Sequence, residues 1–255
     1  VLARRPEVRV LVSSATITTS VFSEYFDDCP VVSIDTQPYP VRISYAPLWL
    51  AATNCYVVAA GEGGPGVIVD APPDPGGIID LAQRAGVEPC ALLLTHGHLD
   101  HVGGAGRTAA AFDIPAFLHG ADEPLAADMD RQARLLLGVA GGAFAGAERY
   151  EPLEDGQVLE FGGLRIRVLH TPGHTPGHCC LYLEDEGVLF SGDHLFAGSV
   201  GRTDLPGGDF PSLLRSMAGR LVPLPGDTDV LPGHGPATTL AWELATNPFL
   251  QDLPA

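Results

Sequence analysis

The sequence predicts a mixed α/β domain, and two observations carry that expectation. Apolar runs of strand length alternate with helical patterns along most of the chain. Gly- and Pro-rich punctuation separates them, as in Gly61-Glu-Gly-Gly-Pro-Gly66 and Ala71-Pro-Pro-Asp-Pro-Gly-Gly77. In chain order, the alternating Val41-Arg-Ile-Ser-Tyr45 is the expected first strand and leads into Asn54-Cys55-Tyr56. Strands are expected at 41–46, 54–59, 66–70, 90–95, 115–119, 164–169, 178–184, 187–191 and 228–231. Helical patterns fall at 76–85, 101–112, 122–137, 209–220 and 238–246. No internal helical repeat or coiled-coil pattern interrupts them. With 255 residues, 45% of them hydrophobic, the chain is long enough to bury a sizeable core.

The most informative stretch is Thr95-His96-Gly97-His98-Leu99-Asp100-His101. It follows the apolar run Ala91-Leu92-Leu93-Leu94, which reads as a buried strand, so the cluster sits at a strand's C-terminal end. Imidazole and carboxylate together suit zinc, iron or manganese. His96 and His98 are two apart and can point the same way from an extended turn. Asp100 and His101 fall at the start of the next helix and aim differently, so one segment can serve two neighbouring metals.

Three more segments repeat this local design. His174 lies in His170-Thr-Pro-Gly-His174-Thr-Pro-Gly-His178. Asp193 follows Val188-Leu189-Phe190, and His234 follows Asp229-Val230-Leu231. Each stands after a strand-like run beside Gly or Pro, which stop the strand and shape a fixed loop. The set His96-x-His98-x-Asp100-His101, His174, Asp193 and His234 resembles the dinuclear ligand set of the metallo-β-lactamase superfamily. The resemblance implies an αβ/βα sandwich, two sheets face to face with helices outside and metals at one edge. It implies a first metal on His96, His98 and His174, a second on Asp100, His101 and His234, and Asp193 bridging them. Lactamases proper commonly place a cysteine in the second site; none stands at a ligand position here, which argues against drug hydrolysis.

Within that superfamily the chain is most similar to hydroxyacylglutathione hydrolases (glyoxalase II), in particular the short glyoxalase-II-like branch. The residues are Ala52-Thr-Asn-Cys-Tyr56, the double Thr-Pro-Gly-His, Gly198-Ser-Val-Gly-Arg-Thr-Asp204, Pro232-Gly-His-Gly-Pro236 and Ala245-Thr-Asn-Pro-Phe-Leu250. The expected cofactors are two divalent ions, zinc first, with iron or manganese as alternatives. Two such ions lower the pKa of a shared water, polarise a carbonyl and stabilise the oxyanion formed on attack. Asp100 is the expected catalytic carboxylate, orienting the hydroxide and shuttling a proton as well as binding metal. The expected substrate is a small-molecule thioester, a glutathione conjugate among the candidates. No Gly-x-Ser-x-Gly elbow is present, which weakens a serine hydrolase reading.

Four histidines fall outside this set. His178 is expected to pack or hydrogen-bond at the start of a strand, and His119 to be structural. His170 and His194 flank ligand loops, with support of a ligand and a purely structural role both open. Arg202 and Asp204 form either an ion pair that orders their loop or an influence on the site.

The first residues differ. Val8-Arg-Val-Leu-Val-Ser-Ser-Ala-Thr-Ile17, Ser20-Val-Phe-Ser-Glu-Tyr-Phe26 and Tyr39-Pro-Val41 resemble a fragment of a DEAH-type RNA helicase over residues 1–45. No Gly-x-x-x-x-Gly-Lys-[Ser/Thr] loop and no Asp-Glu-x-His box accompany it. The expected division is a non-functional helicase-like remnant over 1–40 and a metallo-β-lactamase-fold hydrolase domain over 41–255. Val1 in place of Met fits a fragment.

A formal net charge of −17 argues against nucleic-acid binding and opposes anionic substrates at long range. A glutathione conjugate would therefore need a local basic patch. Five cysteines, an odd count without Cys-x-x-Cys, fit a reducing cytoplasm. No signal peptide and no apolar run of about 18 residues indicates membrane association. Oligomeric state is not readable. Three functional readings follow: a dinuclear thioesterase, a mononuclear iron persulfide dioxygenase using His96, His174 and Asp193 as a facial triad, and a non-catalytic fusion product.

Overall fold

The computed structural model describes residues 40–139, 144–251 and 253. The helicase-like segment expected over 1–40 lies, apart from Pro40, outside the described residues.

The first half begins with strands β1 (Val41–Leu48), β2 (Thr53–Ala60) and β3 (Gly64–Val69), then helix α1 (Pro75–Ala85) and strand β4 (Val87–Leu93). Helices α2 (Leu99–Val102) and α3 (Ala105–Phe112), strand β5 (Ala116–Leu118), helices α4 (Glu123–Ala127) and α5 (Met129–Leu137) and strand β6 (Glu151–Pro152) follow. The second half contains β7 (Val158–Phe161), β8 (Leu164–His170), β9 (Cys179–Leu183), β10 (Val188–Gly192), β11 (Leu195–Phe196) and β12 (Ser199–Val200). It closes with helix α6 (Phe210–Ser216), which runs on as a wider π-turn through Met217–Leu221, then β13 (Asp229–Pro232), β14 (Thr238–Thr239) and α7 (Leu240–Thr246).

These strands make two six-stranded sheets, ordered β1-β2-β3-β4-β5-β6 and β14-β13-β10-β9-β8-β7. Period-two alternation explains how each sheet serves two layers. On β2, Cys55, Val57 and Ala59 face a core completed by α1 to α5, through Ile78, Leu81, Val102 and Ala133. Tyr56 and Val58 face the opposite way and meet the second sheet through Ile166, Val168, Leu181 and Phe190. On β9 the adjacent Cys179 and Cys180 split in the same manner. Cys179 enters the core between the sheets, and Cys180 faces Leu213, Met217 and Leu240 of the outer helices. The result is the expected four layers, helix–sheet–sheet–helix.

Two expected helices are divided. The pattern over 101–112 breaks at Gly103 and Gly104, and that over 122–137 breaks at Asp128. Pro75 at the start of α1 and left-handed Gly86 at its end (φ 66°) set its boundaries, with Asp74 accepting from the Gly77 N–H.

Candidate metal centre

All seven residues singled out as metal ligands meet at one edge of the sandwich. Beyond β4 the chain turns through Leu94 and Thr95, and His98 stays extended (φ −72°, ψ 146°) just ahead of α2. His96 and His98 therefore leave the turn, while Asp100 and His101 ride on the helix. His174 comes from the loop between β8 and β9, Asp193 from the end of β10 and His234 from the end of β13. Strands β10 and β13 run parallel, so Asp193 and His234 emerge at the same end. The Ala52–Tyr56 motif ties this end to the first sheet. Asn54 Nδ2 donates to the carbonyls of Pro232 and Gly235, each at 2.9 Å, and the Tyr56 hydroxyl donates to Pro232 at 2.7 Å.

The side chains form two groups joined by one carboxylate. His174 Nε2 lies 2.8 Å from His98 Nδ1 and 3.2 Å from His96 Nε2. His234 Nε2 lies 3.1 Å from Asp100 Oδ2 and 3.3 Å from His101 Nε2. Asp193 stands between the groups, with Oδ2 3.6 Å from both His174 Nε2 and His234 Nε2, and Oδ1 3.4 Å from His101 Nε2. Gly233 makes room for it, since a Cβ there would collide with Asp193 Oδ1 and the His101 ring.

The hydrogen-bond partners behind the ligands fix their tautomers. His174 Nδ1 donates to the Arg202 carbonyl at 2.7 Å, because a carbonyl can only accept. His96 Nδ1 lies 3.0 Å from Thr95 Oγ1, whose own hydrogen goes to the Asp70 carboxylate, so His96 donates as well. The Nε2 lone pairs of His96 and His174 thus point at each other across 3.2 Å. His98 Nδ1, 2.8 Å from His174 Nε2, can donate to that ring, which still leaves the buried His96 Nε2 facing an acceptor, a place suited to a cation. Asp193 Oδ1, buried and without a hydrogen-bond donor, makes the same demand. The donor set therefore fits divalent metal, with all ligand atoms of each triad within 4.8 Å of one another.

Electrostatics agree for His96 and His98, whereas the facing carboxylates raise His101 and His234 against the effect of burial. Burial pushes the His96 pKa well down, and the neighbouring imidazoles His101 and His174 add to this; burial takes His98 down to about 3. Both are neutral, ligand-competent rings at pH 7. Burial opposes ionisation of Asp100 and Asp193, but His101, with His234, outweighs it and holds both carboxyls below their ordinary range.

Sequence reasoning missed the residues that hold the clustered histidines in place. Asp70, in a left-handed conformation (φ 61°) that Asp tolerates, takes His101 Nδ1 and the Thr95 N–H, each at 2.8 Å. Asp122 accepts from the Gly97 N–H at 2.8 Å, the Thr175 hydroxyl at 2.6 Å and the Gly177 N–H at 2.6 Å, clamping the His98 turn to the His174 loop. Gln132 accepts from the Leu99 N–H and donates to the Gly97 and Leu125 carbonyls. The only sequence signal for Asp70 is a lone acid ending the apolar run Val67-Ile68-Val69.

The other histidines take varied places. His178 accepts from the Asp193 N–H at 3.1 Å and pairs with Thr171, so it positions a ligand's backbone. His194 is fully buried, and burial lowers its pKa to about 3. His119 and His170 stack outside the centre, with centroids 4.1 Å apart. Arg202 and Asp204 form the ion pair at 2.7 Å, while the Arg202 carbonyl supports His174. A cleft of about 460 Å³ opens over His98, Asp100, His174, Asp193 and His234.

Residues 48–234 match the family model of the metallo-β-lactamase superfamily. The chain belongs to the metallo-β-lactamase superfamily. Its fold is one that binds divalent metals. The chain is 34% identical to hydroxyacylglutathione hydrolase GloC of Haemophilus influenzae, over 82% of this chain and 98% of that one. Among solved structures, it resembles TTHA1623 in a di-iron-bound form with TM-score 0.72 and 44% identity, covering 81% of this chain and 99% of that one. It also resembles the BLEG-1 B3 metallo-β-lactamase with TM-score 0.75 and 37% identity, covering 82% and 100% respectively. No helix among the described residues is long and apolar enough to cross a membrane.

Proposed function

We propose that this superfamily member is a dinuclear thioester hydrolase of the glyoxalase II type, its activity carried by residues 41–255. His96, His98 and His174 would hold one divalent ion and Asp100, His101 and His234 the other, with Asp193 placed to serve both. Zinc is the first candidate, with iron or manganese as alternatives. The observation that carries this reading is the second triad, Asp100, His101 and His234, whose ligand atoms also lie within 4.8 Å of one another. A mononuclear dioxygenase using His96, His174 and Asp193 has no need of it. The GloC relative and the di-iron-bound TTHA1623 support the same reading.

When bound, two divalent ions supply an acidified water and Lewis-acid polarisation of a carbonyl. The chain's residues do the rest. Asp100, an ionised carboxylate at neutral pH, orients the attacking water and takes its proton. The new bond joins water oxygen to acyl carbon, the C–S bond breaks, and the proton held by Asp100 leaves with the thiol. Asp70 and Asp122 hold the histidines so that this geometry exists before substrate arrives. The four thiols among the described residues are unpaired, which supports a reducing compartment such as the cytoplasm.

The test measures thiol release from S-lactoylglutathione and a simpler thioester, with oxygen uptake recorded in parallel. Turnover without oxygen consumption, crippled by His234→Ala, is expected. Oxygen uptake driven by glutathione persulfide, with His234→Ala nearly silent, would overturn the reading. A chromogenic β-lactam belongs in the same panel, given the likeness to BLEG-1, and its preferential hydrolysis would also count against a thioesterase.

A further inference from the structure

Beside the metal-facing cleft lies a second cavity of about 240 Å³. The two share His98, Leu136 and Leu205, so they adjoin at a ring of the first triad. The walls of the smaller cavity are apolar: Leu125, Leu135, Leu136 and Leu205 with Pro176 and Pro206. Its polar lining residues are already engaged. The Gln132 amide is spent on three backbone groups. Arg131 lies 3.9 Å from Asp128, both of them exposed. At the rim, the end of α5 leaves Leu135 61% exposed, with Leu136 and Leu137 at about 40%. Consecutive exposed leucines beside a reactive centre are apolar surface without a partner in the described chain.

The charge pattern speaks to the leaving thiol. Arg131 and Arg202 are the only cations lining either cavity among the described residues, and each sits beside a carboxylate. With a carboxylate beside each, they offer little net positive charge to the two carboxylates of a glutathionyl group, and the net charge of −17 repels those at a distance.

We propose that the cavity walled by Leu125, Leu135, Leu136 and Leu205 is an acyl-chain pocket, and that the preferred substrates are apolar acyl thioesters rather than glutathione conjugates. This rests on the thioesterase reading above. The carbonyl lies under His98 and the metal triads, the acyl chain extends along the end of α5, and the thiol leaves through the larger cleft.

The experiment uses the full-length protein as purified, with acetyl, butyryl and hexanoyl thioesters of the neutral thiol N-acetylcysteamine, and S-lactoylglutathione alongside. The kcat/KM is expected to rise about tenfold or more from acetyl to hexanoyl, the gain from burying a few methylenes. Hexanoyl should exceed S-lactoylglutathione. Leu135→Asp, on an exposed helix face, should cut the hexanoyl-to-acetyl ratio about fivefold or more. Calorimetry supplies a readout independent of turnover: hexanoate should bind more tightly than acetate, and Leu135→Asp should erase the difference. Thioester turnover that is flat with chain length, or that favours S-lactoylglutathione, overturns the pocket and leaves the thioesterase reading standing. Absence of any thioester turnover overturns the thioesterase reading; the pocket then stands or falls on whether hexanoate outbinds acetate.

Discussion

Replacing Asp122 by Ala tests how the two halves of the metal centre are held together. The fully buried carboxylate accepts from the Gly97 N–H, the Thr175 hydroxyl and the Gly177 N–H at 2.6–2.8 Å. Hydrogen bonds to a charged acceptor contribute roughly 1.5–3 kcal/mol each, and stranded buried donors cost about 1–3 kcal/mol each. The three share one acceptor and do not add, and the variant also removes the cost of burying a charge. About 3–5 kcal/mol is the expected loss, the scale for breaking a buried charged network. For a domain of this size that lowers Tm by roughly 10 °C. The assay is urea unfolding of chelator-treated protein, so that metal binding does not mask the effect, followed by metal titration. Because Gly97 separates His96 from His98 and Thr175 follows His174, metal affinity should also fall by about 10–100-fold. A loss below about 1 kcal/mol with unchanged metal affinity would refute the clamp.

Asp193→Ala should lower the occupancy of both metals and cost more activity than the roughly 10–100-fold typical of a residue behind a ligand; elemental analysis showing unchanged metal would remove Asp193 from the bridge. Burial pushes the Cys55 and Cys179 thiols far up, and Cys180 up to about 12, so iodoacetamide at neutral pH should spare all three in native protein and label them in urea; native-state labelling of any of them would contradict the core placement. Removing residues 1–38 should leave metal content and thioester turnover largely intact, and the full chain should show no RNA-stimulated ATPase; a truncated protein that binds metal but loses turnover would show that the segment helps build the site.

The central strands were legible because a buried two-faced sheet imposes period two, as Cys55/Val57/Ala59 against Tyr56/Val58 shows, whereas the short β7, β11, β12 and β14 were not expected. The clustering of the seven His and Asp residues was legible because they recur after apolar runs beside Gly and Pro, a pattern a packed core does not require. Helix continuity was not. Gly103 and Gly104 fit a helical spacing, but a Cβ at Gly104 would strike the Pro72 carbonyl, and that close approach is set by a loop some thirty residues earlier. Strand β6 pairs through only Glu151 and Pro152, too few for any periodicity. Asp70 and Asp122 escaped notice because each is a single acid whose partners lie 25 to 55 residues away in the chain. Asp70 meets Thr95 and His101 only once β3 and β4 pair, and Asp122 meets Thr175 and Gly177 only once the two halves of the chain come together.

The central claim is a two-metal centre, and elemental analysis of protein purified without chelator tests it most directly. Two ions per chain are expected in the wild type and one in His234→Ala, which keeps His96, His98 and His174 intact. A single ion in both proteins would contradict the account and leave Asp100, His101 and His234 without the role assigned to them.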